Sequence, residues 1–275
     1  MFRQVEIDKG NFMTSALIGY TGFVGSTLLK QRSFDELYRS TNISEIDNKS
    51  FDFVVCAAAP AKKWYANQNP VEDKKNIDSL IKHLKQITIK KFVLISTVDV
   101  FKNPVEVNEK SIINMNDLQP YGFNRRRLEL FVEQNFDDYL IVRLPGLVGN
   151  GLKKNIIFDF KNDNNIEKIE SRNVFQFYPM KYLNRDINIA IENNLKLIHL
   201  TSSPLSVKEI AKYAFNKNFD NEISNQIVHY DFKTIYSYLW NGITNTTDNS
   251  DYQYSKDDSL SIIKEYAYSE PRSLL

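Results

Sequence analysis

Three side chains in this chain have the type and spacing for proton and hydride chemistry at a carbonyl. Thr97 ends an apolar run, Lys91-Phe92-Val93-Leu94-Ile95-Ser96-Thr97. Tyr121 stands in Pro120-Tyr121-Gly122-Phe123-Asn124-Arg125, where a helix is expected to begin. Arg125 follows one helical turn later, so both project from one face. Hydride transfer at a carbonyl needs a proton donor beside the oxygen. A tyrosine serves if a nearby cation lowers its pKa from about 10 toward neutrality. A hydroxyl such as Thr97 holds the oxygen in place. Arg125 supplies permanent charge and a forked donor for a ribose.

These residues need a frame, and the frame starts at Ala16-Leu17-Ile18-Gly19-Tyr20-Thr21-Gly22-Phe23-Val24-Gly25. The apolar run to Ile18 reads as a buried strand, and a helical pattern starts at Phe23. Gly19 lets the chain leave the strand in a conformation that a Cβ forbids. Gly22 admits a pyrophosphate close to the backbone, and Gly25 lets the helix pack tightly. The helix N-terminus then offers free N–H groups to an anion. The chain has only 9 glycines in 275 residues, below the average of about 7%. Three sit in this turn and three more, Gly146, Gly149 and Gly151, in a second one. The plain alternative is a tight turn without a ligand.

Further strands are predicted over 34–40, 51–59, 91–97 and 139–145, with helices over 71–87 and up to Asn135. Strands alternating with helices make βαβ units and a parallel sheet. The fold expected is α/β, a Rossmann-type doubly wound parallel sheet over 1–150. Residues 151–275 form a small α+β substrate-binding part interwoven with it. There a helix over 156–160, a strand over 174–178, a helix over 183–191 and a strand over 196–200 are expected. A helix over 206–215 carries Ser206 and Glu209 as a capping box, and a last helix covers 258–266. Residues 1–12 are an extra edge strand (Val5, Ile7) or a leader before a start at Met13.

Bulk properties exclude several classes. A net charge of +1 gives no footprint for nucleic acid. No run of 18 apolar residues is present, so no membrane span is expected. A single cysteine, Cys56, fits a reducing cytoplasm and reads as a packed thiol. His83, His199 and His229 lack metal-ligand spacing, and no metal site is expected.

The motifs together carry a resemblance. The chain resembles the extended short-chain dehydrogenase/reductases, the NAD-dependent epimerase/dehydratase family, over roughly 15–182. It does so through the Gly19/Gly22/Gly25 turn, Ala57-Ala58-Ala59, Ser96-Thr97-Val98-Asp99-Val100-Phe101, Pro120-Tyr121-Gly122 and Arg143-Leu144-Pro145-Gly146. The resemblance implies that Thr97 and Tyr121 are the catalytic pair. It also implies that Ala57, Ala58 and Ala59 line the cofactor and that Leu144 and Pro145 flank the nicotinamide. Thr21, Phe23 and Val24 belong to the phosphate turn. Arg125 stands where the family has lysine, so a proton relay through it is in doubt, and Arg125→Lys is expected to be tolerated or beneficial.

An acidic residue about 20 positions past the first glycine marks NAD binding. Here that place holds Arg39, followed by Ser40, which suits a 2′-phosphate. NADP(H) is the expected cofactor, with NAD(H) the alternative. Val98 and Asp99 occupy the places where the 4,6-dehydratase branch has an Asp-Glu pair. The Ser-Thr-x-x-Val-Phe order looks more like the 4-keto-sugar reductases related to dTDP-4-dehydrorhamnose reductase, and an epimerase stays open. The substrate expected is a sugar, a nucleotide-linked keto-sugar by resemblance, contacted by Lys63, Trp64, Thr97 and Gln176. The alternative is a dinucleotide-binding sensor without turnover. A homodimer is the expected assembly.

Overall fold

The structure, a computed structural model, describes residues 14–245 and 250–269. The expected strand at Val5 and Ile7 lies outside them. Short β-branched and aromatic runs separated by amphipathic segments give strands and helices in turn. In order these are β1 (Ser15–Ile18), α1 (Phe23–Gln31), β2 (Glu36–Tyr38), β3 (Ser50–Cys56), α2 (Lys63–Gln68), α3 (Pro70–Leu84), β4 (Thr88–Thr97), β5 (Val105–Val107), α4 (Pro120–Asn135) and β6 (Tyr139–Leu144). Then come β7 (Gly146–Val148), α5 (Ile156–Asn162), β8 (Val174–Phe175), β9 (Phe177–Pro179), α6 (Leu183–Glu192), β10 (Leu197–His199), β11 (Leu205–Ser206), α7 (Val207–Phe215), β12 (Asp231–Phe232) and α8 (Lys256–Ser269).

Six strands form one parallel sheet in the order β10-β6-β4-β3-β1-β2. Side chains alternate across it. Leu17, Phe53, Val55, Val93, Leu140 and Val142 pack with Leu28 of α1 and with Leu183 and Ile187 of α6. Ala16, Ile18, Val54, Phe92, Leu94 and Ile141 pack with Ile77 and Leu80 of α3 and with Leu128 and Val132 of α4. Burial on both faces explains why these strands read as unbroken apolar runs. The expected doubly wound sheet is therefore present. Cys56 lies in it, fully buried, and burial pushes its thiol up to about 12. No helix among the described residues is long and apolar enough to cross a membrane.

The sequence order reverses between β1 and β3, whose C-terminal ends open on one edge. This is the switch point where open α/β sheets bind ligands. Beyond 150 the chain returns to the sheet through α6 and β10. The helices α5, α7 and α8 gather on a separate cluster around Ile157, Phe158, Ile210 and Ile263. Ser206 and Glu209 form the expected capping box at α7. The strand expected over 174–178 is two strands. It breaks at Gln176, where the chain leaves its antiparallel partner β11 for the parallel partner β7.

A buried ion pair ties α4 to the sheet beneath the site. Glu129 accepts from Arg143 on β6 at 2.9 and 2.7 Å, from Ser96 on β4 at 2.5 Å and from Arg126 at 2.8 Å. Burial alone would raise the Glu129 pKa. The charge and hydrogen bonds of Arg143, with the bonds from Ser96 and Arg126, outweigh it and hold the carboxyl below its ordinary range.

Candidate functional site

The turn after β1 is fixed by backbone contacts. The Gly19 N–H donates to the Tyr38 carbonyl at 2.7 Å, which joins it to the end of β2. Gly19 has φ +89, and a Cβ there would lie 2.5 Å from the Ala57 carbonyl oxygen. A Cβ on Gly25 would lie 2.1 Å from the Gly19 oxygen. Gly22 is different. Its φ of −73 suits any residue, and a Cβ there would meet only the Gly19 oxygen, at an ordinary 3.5 Å. The protein itself does not require glycine at 22. Gly22 caps α1 without a side-chain hydrogen bond, so the first-turn N–H groups at Phe23, Val24 and Gly25 lack helical partners. Thr21 is exposed beside them. This open, donor-lined cradle fits a pyrophosphate.

β2 ends at Tyr38, so Arg39 and Ser40 leave the strand at the same edge, both exposed. Arg39 Nε donates to the Thr41 hydroxyl at 2.9 Å. The two nearby carboxylates lie elsewhere. Asp35 accepts from the Ser15 amide and hydroxyl at the opposite end of β1, and Glu36 pairs with Lys49. Ala57, Ala58 and Ala59 form the loop after β3, half-buried across from Gly19. Leu144 pairs in register with Thr97, and Leu144 and Pro145 are buried at that edge.

Thr97 and Tyr121 come together, although they sit on different elements. Thr97 closes β4, and its hydroxyl accepts from the Asp99 amide at 3.2 Å. Tyr121 opens α4 behind Pro120, and its amide donates to Asn67 on α2 at 3.0 Å. A Cβ on Gly122 would lie 2.0 Å from the Asp99 carbonyl oxygen. The missing side chain thus lets α4 touch the turn after β4 and brings the Tyr121 phenol beside the Thr97 hydroxyl, which lowers its pKa. Tyr121 is only 8% exposed. Burial raises its pKa and outweighs the opposing charge of Arg125; Asp99 raises it further, while Thr97 and Lys63 lower it.

Arg125 lies with its guanidinium 3.9 Å from the Tyr121 ring centroid, on the face expected. Its role differs from the expectation. Nη1 donates to Asp73 on α3 at 2.5 Å and to the Tyr121 carbonyl at 3.2 Å, and Nη2 donates to the Pro60 carbonyl. With both Nη atoms hydrogen-bonded and 2% exposure, the fork is a clamp between α3, α4 and the loop after β3. Its charge is matched by Asp73 and does not bring the phenol below its ordinary range. Nε alone is a buried side-chain donor without a partner among the described residues.

Lys63 starts α2 and reaches the same corner. Its ammonium donates to Asp99 at 2.7 Å and to the Tyr230 hydroxyl at 3.4 Å, and Tyr230 also donates to Asp99 at 3.3 Å. Trp64 beside it is 62% exposed and meets Tyr65 edge-on. The expectation for Gln176 is overturned. Its Nε2 donates to Thr201, Ser202 and Phe232, and its Oε1 accepts from the Phe232 amide. A fully buried amide with every partner inside the chain holds the β8–β9 break and has nothing left for a substrate. Asp73, Asn67 and Tyr230 escaped the sequence reading, because nothing local ties them to Tyr121.

Two outcomes follow from this geometry. Gly22→Leu melts like the wild type, whereas Gly25→Leu, forced onto a backbone oxygen, loses about 1–3 kcal/mol or more; thermal melts of the two variants read this. Arg125→Lys is destabilising rather than beneficial. A lysine cannot reproduce the fork, and acceptors left unpaired cost about 1–3 kcal/mol, which urea unfolding measures.

No protein-family model and no curated protein matches the sequence. Solved structures do match. A UDP-N-acetylglucosamine 4-epimerase from Methanobrevibacter ruminantium, in complex with UDP-N-acetylmuramic acid, is 17% identical with a TM-score of 0.69, over 92% of this chain and 96% of that one. A dTDP-4-dehydrorhamnose reductase from Bacillus anthracis, in complex with NADP, is 18% identical with a TM-score of 0.66, over 92% and 96%. The Bordetella bronchiseptica enzyme WbmG, in complex with NAD and UDP, is 13% identical with a TM-score of 0.70, over 95% and 96%. The chain therefore has the Rossmann-type fold of these proteins, as its resemblance to the extended short-chain dehydrogenase/reductases implied.

Proposed function

We propose that the chain is an NADP(H)-dependent oxidoreductase that reduces a keto-sugar, nucleotide-linked as in the similar structures. The observation that carries this reading is the meeting of Thr97 and Tyr121 at the sheet edge where Gly22 leaves a cradle open. The N–H groups at Phe23, Val24 and Gly25 would hold the pyrophosphate, with Thr21 beside it. Ala57, Ala58, Ala59 and Pro145 would line the cleft. Arg39 and Ser40 would take a 2′-phosphate, and the absence of a carboxylate at the end of β2 supports NADP(H). The unpaired Nε of Arg125 is the donor left for a ribose hydroxyl.

A nicotinamide cofactor, when bound, supplies or accepts the hydride. The chain's own residues do the rest. Thr97 holds the carbonyl oxygen, and Tyr121 gives it a proton. Because burial raises the Tyr121 pKa, the phenol carries its proton at neutral pH. Lys63 and Trp64, at the open side of the corner, are the substrate contacts proposed.

The test is transfer of deuterium from labelled NADPH to a panel of 4-keto nucleotide sugars. The wild type is expected to label product. Tyr121→Phe should bind NADPH normally and lose about 10²–10⁴-fold in transfer, and Arg39→Ala should lose the preference for NADPH over NADH. Tight NADPH binding without transfer to any keto-sugar contradicts the reading, as does full transfer by Tyr121→Phe.

A further inference from the structure

Four cations meet at one short stretch beside the Thr97–Tyr121 corner, and only two of them have a carboxylate. The stretch is Pro60-Ala61-Lys62-Lys63, from the loop after β3 to the start of α2. Arg125 donates from Nη2 to the Pro60 carbonyl and is paired with Asp73. Lys63 is paired with Asp99 at 2.7 Å. Lys154, from the segment after β7, donates to the Ala61 carbonyl. That carbonyl is neutral, and an ammonium has three donors. Lys154 therefore keeps two donors and an uncompensated charge. Lys62 is exposed and has no ion pair among the described residues.

The backbone that carries Lys154 is held in place. Asn155 beside it has φ +91 and ψ 171, a conformation that non-glycine residues keep only where their surroundings fix it. Its side chain donates to the Leu147 carbonyl on β7 at 2.9 Å and accepts from the Ile157 amide at 3.0 Å. From that anchor the Lys154 ammonium reaches the Ala61 carbonyl. The next carbonyl, on Pro60, holds Arg125, and consecutive Cα atoms are only about 3.8 Å apart. Arg125 in turn lies 3.9 Å from the Tyr121 ring centroid. On the other side, the amide of Asp99, the partner of Lys63, donates to the Thr97 hydroxyl at 3.2 Å. Burial lowers the Lys154 pKa; Asp99 opposes this, while Lys62 and Arg125 add to it. The four cations thus share one corner with Thr97 and Tyr121.

Two ammonium groups in excess at the carbonyl end of a site attract an anion carried by the ligand. In a 4-keto-sugar the anomeric carbon, with any phosphate on it, lies across the ring from the carbonyl. The carbon beside the carbonyl, C5, carries C6. We propose that the substrate is an acidic sugar with a carboxylate at C6, and that Lys154 and Lys62 bind that carboxylate. The assignment rests on the reading of Thr97 and Tyr121 as the groups that hold the sugar carbonyl. A carboxylate accepts charge-assisted hydrogen bonds from the free donors of both lysines. A neutral hydroxymethyl group at C6 offers no charge to either, so the two lysines set specificity. Lys63, already matched by Asp99 and bonded to Tyr230, fixes the corner.

The experiment compares ligands that differ at C6 alone. Glucuronate 1-phosphate and glucose 1-phosphate are titrated into the NADPH-loaded protein, with inorganic phosphate as a third ligand. The lysine ε-carbon signals are followed by ¹³C NMR, and Lys154→Met assigns the Lys154 signal. The wild type is expected to bind glucuronate 1-phosphate about tenfold or more tightly than glucose 1-phosphate, the scale of one charge-assisted hydrogen bond. The Lys154 signal should move with it. Lys154→Met should lose that preference and keep its affinity for glucose 1-phosphate, and Lys154→Arg should keep both. Lys62→Met, at an exposed position, should weaken the preference as well and keeps the test open if Lys154→Met does not fold. Equal binding of the two sugar phosphates by the wild type overturns the proposal, and so does binding of neither. A loss in Lys154→Met shared by inorganic phosphate and both sugars assigns the lysines to a phosphate and also overturns it. Calorimetry of NADPH on the same samples separates the two claims. Absence of NADPH binding to the wild type fails the cofactor reading, while the carboxylate preference, then read on the unliganded protein, still decides this one.

Discussion

Two helices start where a missing Cβ lets them lie on a carbonyl oxygen, and the rest of the site depends on those contacts. α1 rests through Gly25 on the Gly19 oxygen, and α4 rests through Gly122 on the Asp99 oxygen. Each contact docks a helix N-terminus on the turn that ends a sheet strand. The first turns the free N–H groups of α1 toward the switch point. The second places Tyr121 beside Thr97. Any side chain at either glycine would overlap the opposing backbone, so the two halves of the site are set by sterics before any charge acts.

Charge then decides what each residue can do. Arg125 and Asp73 are both buried, and such a pair is retained only with tight geometry on both sides. The cost is that Arg125 serves as a clamp, with Nε its one nitrogen that has no partner among the described residues. Lys63 remains half exposed and keeps contact with Asp99 and Tyr230. The cation fixed in position and the cation open to water are therefore different residues. A lysine at 125 would have to do both tasks with one ammonium group.

The fold was largely legible because its signals are local. The unbroken apolar runs of the strands, the glycine spacing, Pro120 ahead of α4 and the Ser206–Glu209 box each lie within one turn or one strand. The end of β2 was placed well enough to put Arg39 at the sheet edge. The site was half legible. Thr97 and Tyr121 end and begin regular elements, so their positions follow from those elements. The partners that define Arg125 lie 52 and 65 residues away, and Tyr230 reaches Asp99 across 131. Gln176 looked available because its strand was expected to run on; its partners on the segment around Phe232 lie 56 residues off. Long-range hydrogen bonds of this kind leave no periodic trace in a sequence.

The central claim is that the turn from Gly19 to Gly25 holds a dinucleotide, and that Gly22, unlike Gly19 and Gly25, is not a glycine for the protein's own packing. Gly22 isolates that claim, since the chain leaves room for a side chain there. The most direct measurement is calorimetric titration of NADPH into the wild type and into Gly22→Leu. The account predicts binding by the wild type and its loss in a Gly22→Leu variant that melts normally. Equal affinity in the two proteins would contradict it.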